Sequence, residues 1–256
     1  MIICSPAPWP IIKAALLAEI YNDLPCFQGE QDSLGLFGIT AAHDADTASL
    51  AALIKQLSAT CGLDTSWLLA SPGHTLARLV AANLRYQALD KAAVIFAAVE
   101  QAIRYGHSYC LCGIGGISRI FLSRAKIVSH EVHKMLGFIR FHPAPDNTLA
   151  AKPKLFHQTA DLILRQFAPR YPNTRLVFIL ENDTALMLTN GKIMHTPANI
   201  YLPYVENQEF AAAWETYYQS QYIATRKNIK LAQHAIPKKY WDWLAEGKIL
   251  ESEASK

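Results

Sequence analysis

The run HEVH near the middle of the chain contains His130, Glu131 and His133. Carboxylate and imidazole groups can pass protons near neutral pH, so Glu131 and His133 are candidates for a catalytic acid and base. The histidines are three residues apart, whereas the HExxH zinc motif needs them four apart. Both rings can still lie on one side of a helix, but a third metal ligand would have to come from His142 or His157. We therefore predict no metal and no other cofactor. The alternative role for Glu131 is an ion pair with a nearby Arg or Lys.

Arg140 lies in the segment Phe138–His142, whose alternating residue types predict a β-strand. An arginine on a strand projects from a rigid element and can grip a phosphate or a carboxylate with parallel hydrogen bonds. Glu131, His133 and Lys134 end the preceding predicted helix and could converge with it. The alternative is a structural ion pair between Arg140 and Glu131.

Basic and aromatic residues are interleaved towards the carboxyl end, around Arg226-Lys227 and in Lys238-Lys239-Tyr240-Trp241. Rings that stack on bases, together with cations that contact the backbone, are typical of single-strand nucleic-acid binding. The alternatives are that the large aromatic residues belong to the core and that Arg170 only stabilises a helix end. The predicted phosphate-binding residues are Lys134, Arg140, Arg170, Arg226 and Lys239.

The elements that must position these residues begin with a helical region, residues 1–106. Apolar residues recur at helical spacing after Pro10, after Asp46 and again up to Gly106. Gly62 is a natural helix stop, and Ser71-Pro72-Gly73 predicts a turn. This region is expected to supply core rather than chemistry.

Residues 107–256 mix helices and strands. Cys110–Gly116 predicts a tight loop, and Asn190-Gly191 predicts a hairpin turn. The predicted helices are Ser118–Leu136, ending at Gly137, and His157–Pro169, and the predicted strands are Phe138–His142, Thr148–Pro153, Arg175–Leu180 and Ala185–Leu188. We therefore predict an α+β fold with a helical N-terminal part, a central antiparallel αββαββ-like unit and a helical C-terminus. The predicted domains are residues 1–106 and 107–256, or one compact domain overall.

The composition excludes several classes of protein. Hydrophobic residues make up 51% of the chain and charged residues 18%, a balance that excludes a disordered chain. The sequence contains no long uncharged apolar run, so no membrane association is expected. The five cysteines are scattered rather than paired, which favours reduced thiols and a cytoplasmic location.

The charge is distributed unevenly along the chain. Residues 1–100 carry a net charge of −4 and residues 101–256 a net charge of +7. The steepest part, residues 104–175, has eleven Lys and Arg against three Asp and Glu. Such an asymmetry indicates a polyanionic partner, with a solvated basic face as the alternative.

Three blocks carry a resemblance to a known family. The first, Glu131-x-His133-Lys134-x-x-Gly137-Phe138-x-Arg140-Phe141, resembles the signature E-x-H-(R/K)-x-x-G-F-x-R-F of a bacterial family described as DNA-repair or DNA-metabolism proteins. The second, Phe167-Ala168-x-Arg170-Tyr171-Pro172, resembles its F-A-x-R-(F/Y)-P. The third begins at Trp214-x-x-Tyr217-Tyr218, continues through Arg226-x-Asn228 and ends with Pro237-Lys238-Lys239-Tyr240-Trp241. The resemblance covers about residues 120–247.

This resemblance implies a nucleic-acid role. Members of the family resemble proteins whose genes lie beside the gene of a radical-SAM protein. Some relatives are fused to a uracil-DNA-glycosylase-like domain. The chain contains neither a three-cysteine cluster motif nor that appended domain. It also departs from the family in two places. Pro8-Trp9-Pro10 stands where a D-G-(S/T)-F-E-G-F-L-like phrase is expected, and Glu181-Asn182-Asp183-Thr184 lacks the usual Arg between two strands.

We therefore expect a cytoplasmic protein of DNA repair or modification that binds DNA or RNA and acts with a radical-SAM partner. One alternative is a hydrolase or transferase that acts on a nucleotide or base through Glu131 and His133. Another is a protein–protein adaptor that docks its partner through the C-terminal aromatic residues and binds no nucleic acid.

Overall fold

A computed structural model describes residues 1–28, 43–181, 183–206 and 236–244, together with residues 213, 216, 220, 247 and 251. Contacts divide the chain into two units, Met1–Glu131 (unit 1) and Val132–Lys256 (unit 2). The predicted boundary after residue 106 stays a prediction. None of the described helices is long and apolar enough to cross a membrane.

Unit 1 contains a small parallel sheet in the order β2-β1-β3. The strands are β1 (Ile2–Cys4), β2 (Pro25–Phe27) and β3 (His43–Asp44), and helix α1 (Pro8–Tyr21) connects the first two. A parallel pair requires such a crossover connection. The sequence predicted only helices in this region, because strands of two or three residues are too short to show a period of two.

The other elements of unit 1 are helical. They are α2 (Leu50–Cys61), a 3₁₀ turn (Ser66–Leu69), α3 (Ser71–Arg85), α4 (Lys91–Tyr105), α5 (His107–Leu111) and the start of α6 (Gly116–Phe138). Gly62 ends α2 in the left-handed conformation, as predicted. The predicted turn at Ser71-Pro72-Gly73 was wrong, because these residues form the first turn of α3, where proline is well tolerated. The predicted loop at Cys110–Gly116 is only partly a loop, because α5 includes Cys110 and Leu111.

The buried side chains of unit 1 form one hydrophobic cluster that joins the small sheet to the helices. Ile2 on β1, Ile12 on α1, Val80 on α3 and Ile95 on α4 are each fully buried within it. Burial of Cys110 in the same cluster raises the pKa of its thiol to about 11. This unit therefore has a core of its own, as the sequence predicted.

Unit 2 is built on a five-stranded sheet in the order β4-β5-β6-β7-β8. Its elements are β4 (His142–Ala144), β5 (Thr148–Ala151), α7 (Ala160–Phe167) continued by a 3₁₀ turn (Ala168–Arg170), β6 (Arg175–Ile179), β7 (Thr184–Thr189) and β8 (Lys192–Pro197). A 3₁₀ turn (Ala198–Ile200), α8 (Leu202–Val205) and a further 3₁₀ turn (Lys238–Tyr240) follow.

The fold class is α+β, as predicted, but the central unit is not wholly antiparallel. Strands β5 and β6 pair in parallel, with Ala150 opposite Val177, while the other pairs are antiparallel. The parallel pair follows from α7, which lies between these strands in sequence and returns the chain in the same direction. Asn190 and Gly191 both have positive φ and join β7 to β8, which confirms the predicted hairpin.

The predicted strand Phe138–His142 was also wrong. Helix α6 continues through Gly137 to Phe138, residues 139–141 form no regular element, and β4 begins only at His142. Gly137 does not stop the helix, because helix ends are decided by the contacts of the whole last turn and not by one residue of weak propensity. Arg140 therefore lies in a connection and not on a strand.

Both faces of the central strands β5–β7 of the sheet in unit 2 are largely buried. One face, with Leu176 and Phe178 on β6, packs with α7 residues such as Leu164. The other face, with Val177 and Ile179, packs against Tyr201 beside α8. Alternate residues of β6 thus enter two different clusters, as the pleat of a strand requires.

Candidate functional site

A cluster of aromatic rings in unit 2 joins the first two sequence blocks. The ring centroid of Phe141, from the first block, lies 5.1 Å from that of Phe167 and 5.6 Å from that of Tyr171, both in the second block. The ring centroid of Phe178, on β6, lies 5.8 Å from that of Phe141. These distances are those of favourable aromatic pairs, so the two blocks are held together by packing.

The third block joins the first through Tyr240. The ring of Tyr240 lies 5.6 Å from that of Phe138 and 5.3 Å from that of Phe156, and Tyr240 is only 1% exposed. Two indole N–H groups fix the segment around it. Trp241 Nε1 donates to the carbonyl of Ile236 at 2.8 Å, and Trp243 Nε1 donates to that of Lys152 at 3.0 Å. Tyr240 and Trp241 are buried, so these two aromatic residues belong to the core, which was the alternative to a role in base stacking.

Lysines surround this aromatic segment. Lys239 Nζ lies 4.0 Å from the ring centroid of Phe156 and 4.9 Å from that of Tyr240. Lys238 Nζ lies 5.8 Å from the ring of Trp241, and Lys154 Nζ lies 5.8 Å from that of Phe156. A cation within about 6 Å of a ring centroid is attracted by the ring. We call Lys152, Lys154, Phe156, Lys238 and Lys239 the lysine–aromatic surface.

Two carboxylates lie at its border. Lys154 donates to Asp242 at 2.5 Å, and this hydrogen bond lowers the pKa of Asp242. Lys152 lies 3.8 Å from a carboxylate oxygen of Glu206. Both pairs are at least partly exposed to solvent, so each contributes little to stability. Four lysines and these two carboxylates thus lie together at this surface.

Arg170 is exposed at the end of the 3₁₀ turn after α7. Its guanidinium carbon lies 5.5 Å from the ring centroid of Phe167, and no carboxylate of the described residues forms a salt bridge with it. The loop that follows is held by Asn147, whose Nδ2 donates to the carbonyl of Asn173 at 2.8 Å. The structure thus keeps the predicted phosphate-binding Arg170 at the surface.

Arg140 is positioned differently from its predicted strand geometry. Its Nη1 donates to the carbonyl of Gly137 at 2.5 Å and to that of Ile139 at 3.3 Å. A cation that bonds the last carbonyls of a helix satisfies groups without an intrahelical partner and interacts favourably with the helix dipole. The side chain of Arg140 is half-buried and stabilises the end of α6.

Glu131 and His133 lie two residues apart on α6, so helical geometry points their side chains about 200° apart. Glu131 is 3% exposed, whereas His133 and the neighbouring His130 are exposed, and Lys134 is half-buried. This arrangement does not bring Glu131 and His133 together as an acid/base pair. Among the described residues, no group of three or more His, Cys, Asp or Glu side chains is placed to hold a metal ion.

Arg226 and the other residues of 223–231 lie outside the described residues, as do Trp214, Tyr217 and Tyr218. Conversely, sequence reasoning missed Lys152, Lys154 and Phe156. The available signal was the run KPKLF, in which basic residues precede an aromatic residue as they do in KKYW. Only the packing of Phe156 on Tyr240 shows that the two runs form one surface.

Gly137 gives a direct test of the local structure. A Cβ atom added at Gly137 would have no heavy atom within 4 Å, and the residue lies inside α6. Gly137→Ala should therefore raise the free energy of unfolding by about 0.5–1 kcal/mol, because alanine has the higher helix propensity. Urea unfolding of the two proteins measures this difference. A loss of stability would show that the helix does not continue through residue 137.

No curated protein and no solved structure shows significant similarity to the chain. One family model matches, that of DUF4130, a domain of unknown function, over residues 89–246. This match covers more than half of the chain and includes all three aromatic and basic blocks. The chain therefore belongs to the DUF4130 family.

Proposed function

We propose that unit 2 binds nucleic acid through the lysine–aromatic surface, with Arg170 as a further phosphate contact. The observation that carries the proposal is the position of Lys239, whose ammonium group lies over the rings of Phe156 and Tyr240. The rings limit the freedom of the side chain, so less conformational entropy is lost when it contacts a phosphate. Lys238, beside it, is exposed.

The chemistry of the surface fits a polyanion better than a single small anion. The lysines come from two separate segments, 152–154 and 238–239, and so present several cations side by side. Each phosphate contact releases counterions and adds to affinity at low salt. The half-buried ring of Trp243, in the same segment as Lys238 and Lys239, offers a face on which an unpaired base can stack.

The resemblance of the three blocks extends this proposal. It leads us to place the protein in DNA repair or modification in the cytoplasm, where it would present or sense a nucleic-acid site for a radical-SAM partner. The hydrolase or transferase alternative gains no support from the separation of Glu131 and His133 on α6.

The test is fluorescence anisotropy with labelled single-stranded DNA, duplex DNA and tRNA at two salt concentrations. We expect binding that weakens steeply with salt. Replacing Lys238 and Lys239 by alanine should reduce the slope of log K against log salt by about 1.4 for a single strand or about 1.8 for a duplex, because two phosphate contacts are lost.

The matched control is Lys192→Ala. Lys192 is exposed on β8, at the opposite edge of the same sheet from β4, and its loss should leave the slope unchanged. Equal slopes for both variants would contradict the assignment of the surface. Absence of binding to all three probes at low salt would contradict nucleic-acid binding itself and favour the adaptor alternative.

A further inference from the structure

A second surface lies in unit 1, in a groove between α3 and the first half of α6. The groove has a volume of about 360 Å³. Its floor is apolar, because it is formed by Leu79 and Ala82 from α3 and by Leu122 and Ala125 from α6. A groove with an apolar floor between two helices is the usual receptor for the apolar face of a third helix.

The two walls are held in fixed positions by a buried polar contact. The side chain of Asn83 is 1% exposed, and its Nδ2 donates to the carbonyl of Phe121 on α6 and to that of Leu79 on its own helix, both at 2.9 Å. Phe121 is fully buried in the core of unit 1. The groove is therefore a preformed feature, which lowers the entropic cost of filling it.

Both rims of the groove are basic. Residues 71–85 of α3 and residues 116–130 of α6 contain no aspartate or glutamate. Arg78 lies on one rim and Lys126 on the other, and neither forms a salt bridge with a carboxylate of the described residues. Arg78 Nη2 lies 3.4 Å from Thr75 Oγ1, a contact that keeps the guanidinium at the edge of the groove.

The positive charge extends along α6. Arg119 and Lys126 are exposed and are seven residues apart, so they lie along one side of the helix. Arg124 is different, because it donates two hydrogen bonds of 2.8 Å to Asp90. Two exposed cations on one side of α6, beside an apolar floor, favour an occupant with an apolar stripe and acidic flanks.

We propose that this groove docks an acidic amphipathic helix of a partner protein. Leucine-sized side chains of such a helix would contact the apolar floor, and its glutamates or aspartates would pair with Arg78 and Lys126. Nucleic acid fits less well, because an apolar floor offers nothing to a sugar–phosphate backbone. The proposal does not depend on nucleic-acid binding, since the lysine–aromatic surface belongs to the other unit.

The probe is a synthetic peptide of about 18 residues with leucine at i, i+3, i+4 and i+7, glutamate beside this leucine stripe and alanine elsewhere, a composition and length that can be helical on their own. A second peptide carries lysine in place of glutamate. We expect the full-length protein to bind the acidic peptide in a fluorescence-anisotropy titration and to bind the basic one at least tenfold more weakly. Hydrogen exchange should slow at the groove residues when the acidic peptide is added.

Two variants locate the site. Arg78→Glu combined with Lys126→Glu should weaken binding of the acidic peptide about tenfold, since each reversal removes one exposed ion pair and adds a repulsion. Ala82→Phe fills the floor without a change of charge and should weaken binding to a similar extent. Lys55→Glu, an exposed reversal on α2 outside the groove, is the matched control and should bind as the unaltered chain does.

Three results would overturn the proposal. The first is no binding of the acidic peptide at low salt, and the second is equal binding by the groove variants and the Lys55→Glu control. The third is that the charge-reversed variant loses affinity for labelled DNA while neither the unaltered chain nor any variant binds the peptide. That result would make the groove a nucleic-acid surface. Circular dichroism and thermal unfolding must show that each variant is folded. If the double charge-reversal variant does not fold, peptide binding by the Ala82→Phe variant decides whether the groove is the docking site.

Discussion

Replacing Tyr240 by alanine is expected to destabilise unit 2 by about 3–5 kcal/mol, the usual cost of removing a large buried aromatic side chain. Tyr240 is 1% exposed and contacts the rings of Phe138 and Phe156. Its removal leaves a cavity beside two other rings, and the segment Ile236–Leu244 loses its main anchor. The same substitution should weaken the salt-sensitive binding attributed to the lysine–aromatic surface, because Lys239 loses one of the two rings beside it.

The matched variant is Tyr240→Phe. It keeps the ring and removes only the hydroxyl group, so a loss of about 1 kcal/mol or less is expected. Urea unfolding of the full chain gives the change in free energy, and hydrogen exchange of the β6 amides assigns it to unit 2. If the alanine and phenylalanine variants were equally stable, the ring would not anchor the third block.

Gly73→Ala is expected to destabilise unit 1 by about 3 kcal/mol or more, at the upper end of the cost of overpacking. A Cβ atom at Gly73 would lie 2.0 Å from the carbonyl oxygen of Leu68, 2.5 Å from its carbonyl carbon and 2.6 Å from its Cα. All three are backbone atoms, and the side chain of Leu68 is fully buried. The turn therefore cannot move aside without disturbing the core.

Gly116→Ala is the control for this prediction. Gly116 begins α6 in the same unit, and an added Cβ atom would have no heavy atom within 4 Å. Its thermal midpoint should stay close to that of the unaltered chain, whereas that of the Gly73→Ala variant should fall by several degrees. Similar midpoints for the two variants would show that α3 does not pack against the Ser66–Leu69 turn as described.

The effect of Gly73→Ala on binding separates the two proposed surfaces. The apolar groove uses α3, whose first turn contains Gly73, whereas the lysine–aromatic surface lies wholly in unit 2. The nucleic-acid binding proposed for unit 2 should survive the substitution at temperatures where unit 2 is folded. The acidic peptide should no longer bind the variant at temperatures where α3 is unfolded.

The sequence alone was enough to predict elements whose side chains repeat over many residues. The apolar spacing of α2, α4 and α7 shows which face of each helix is buried, and the structure confirms these helices as well as α1. The α+β class and the hairpin at Asn190-Gly191 also follow from local patterns, because both central residues of that turn need a positive φ. Such features depend on residues that are neighbours in the chain.

Only the tertiary structure decided the features that depend on distant residues. Strands β1–β3 are stabilised by pairing with each other and carry no periodic signal of their own. The parallel pairing of β5 with β6 depends on where α7 returns the chain. Arg140 was predicted on a strand, but the carbonyls at the end of α6 hold it in a connection, since hydrogen bonds outweigh a short alternation of residue types.

The candidate site shows the same division. Residue types identified Lys239 and Arg170 as cations next to aromatic residues, and both lie at the surface beside a ring. The sequence could not show that Phe156 and Lys154 join them, because these residues are more than 80 positions from Tyr240. Composition and spacing determined which cationic and aromatic groups this protein carries. Packing between distant rings decided which of those groups form one surface.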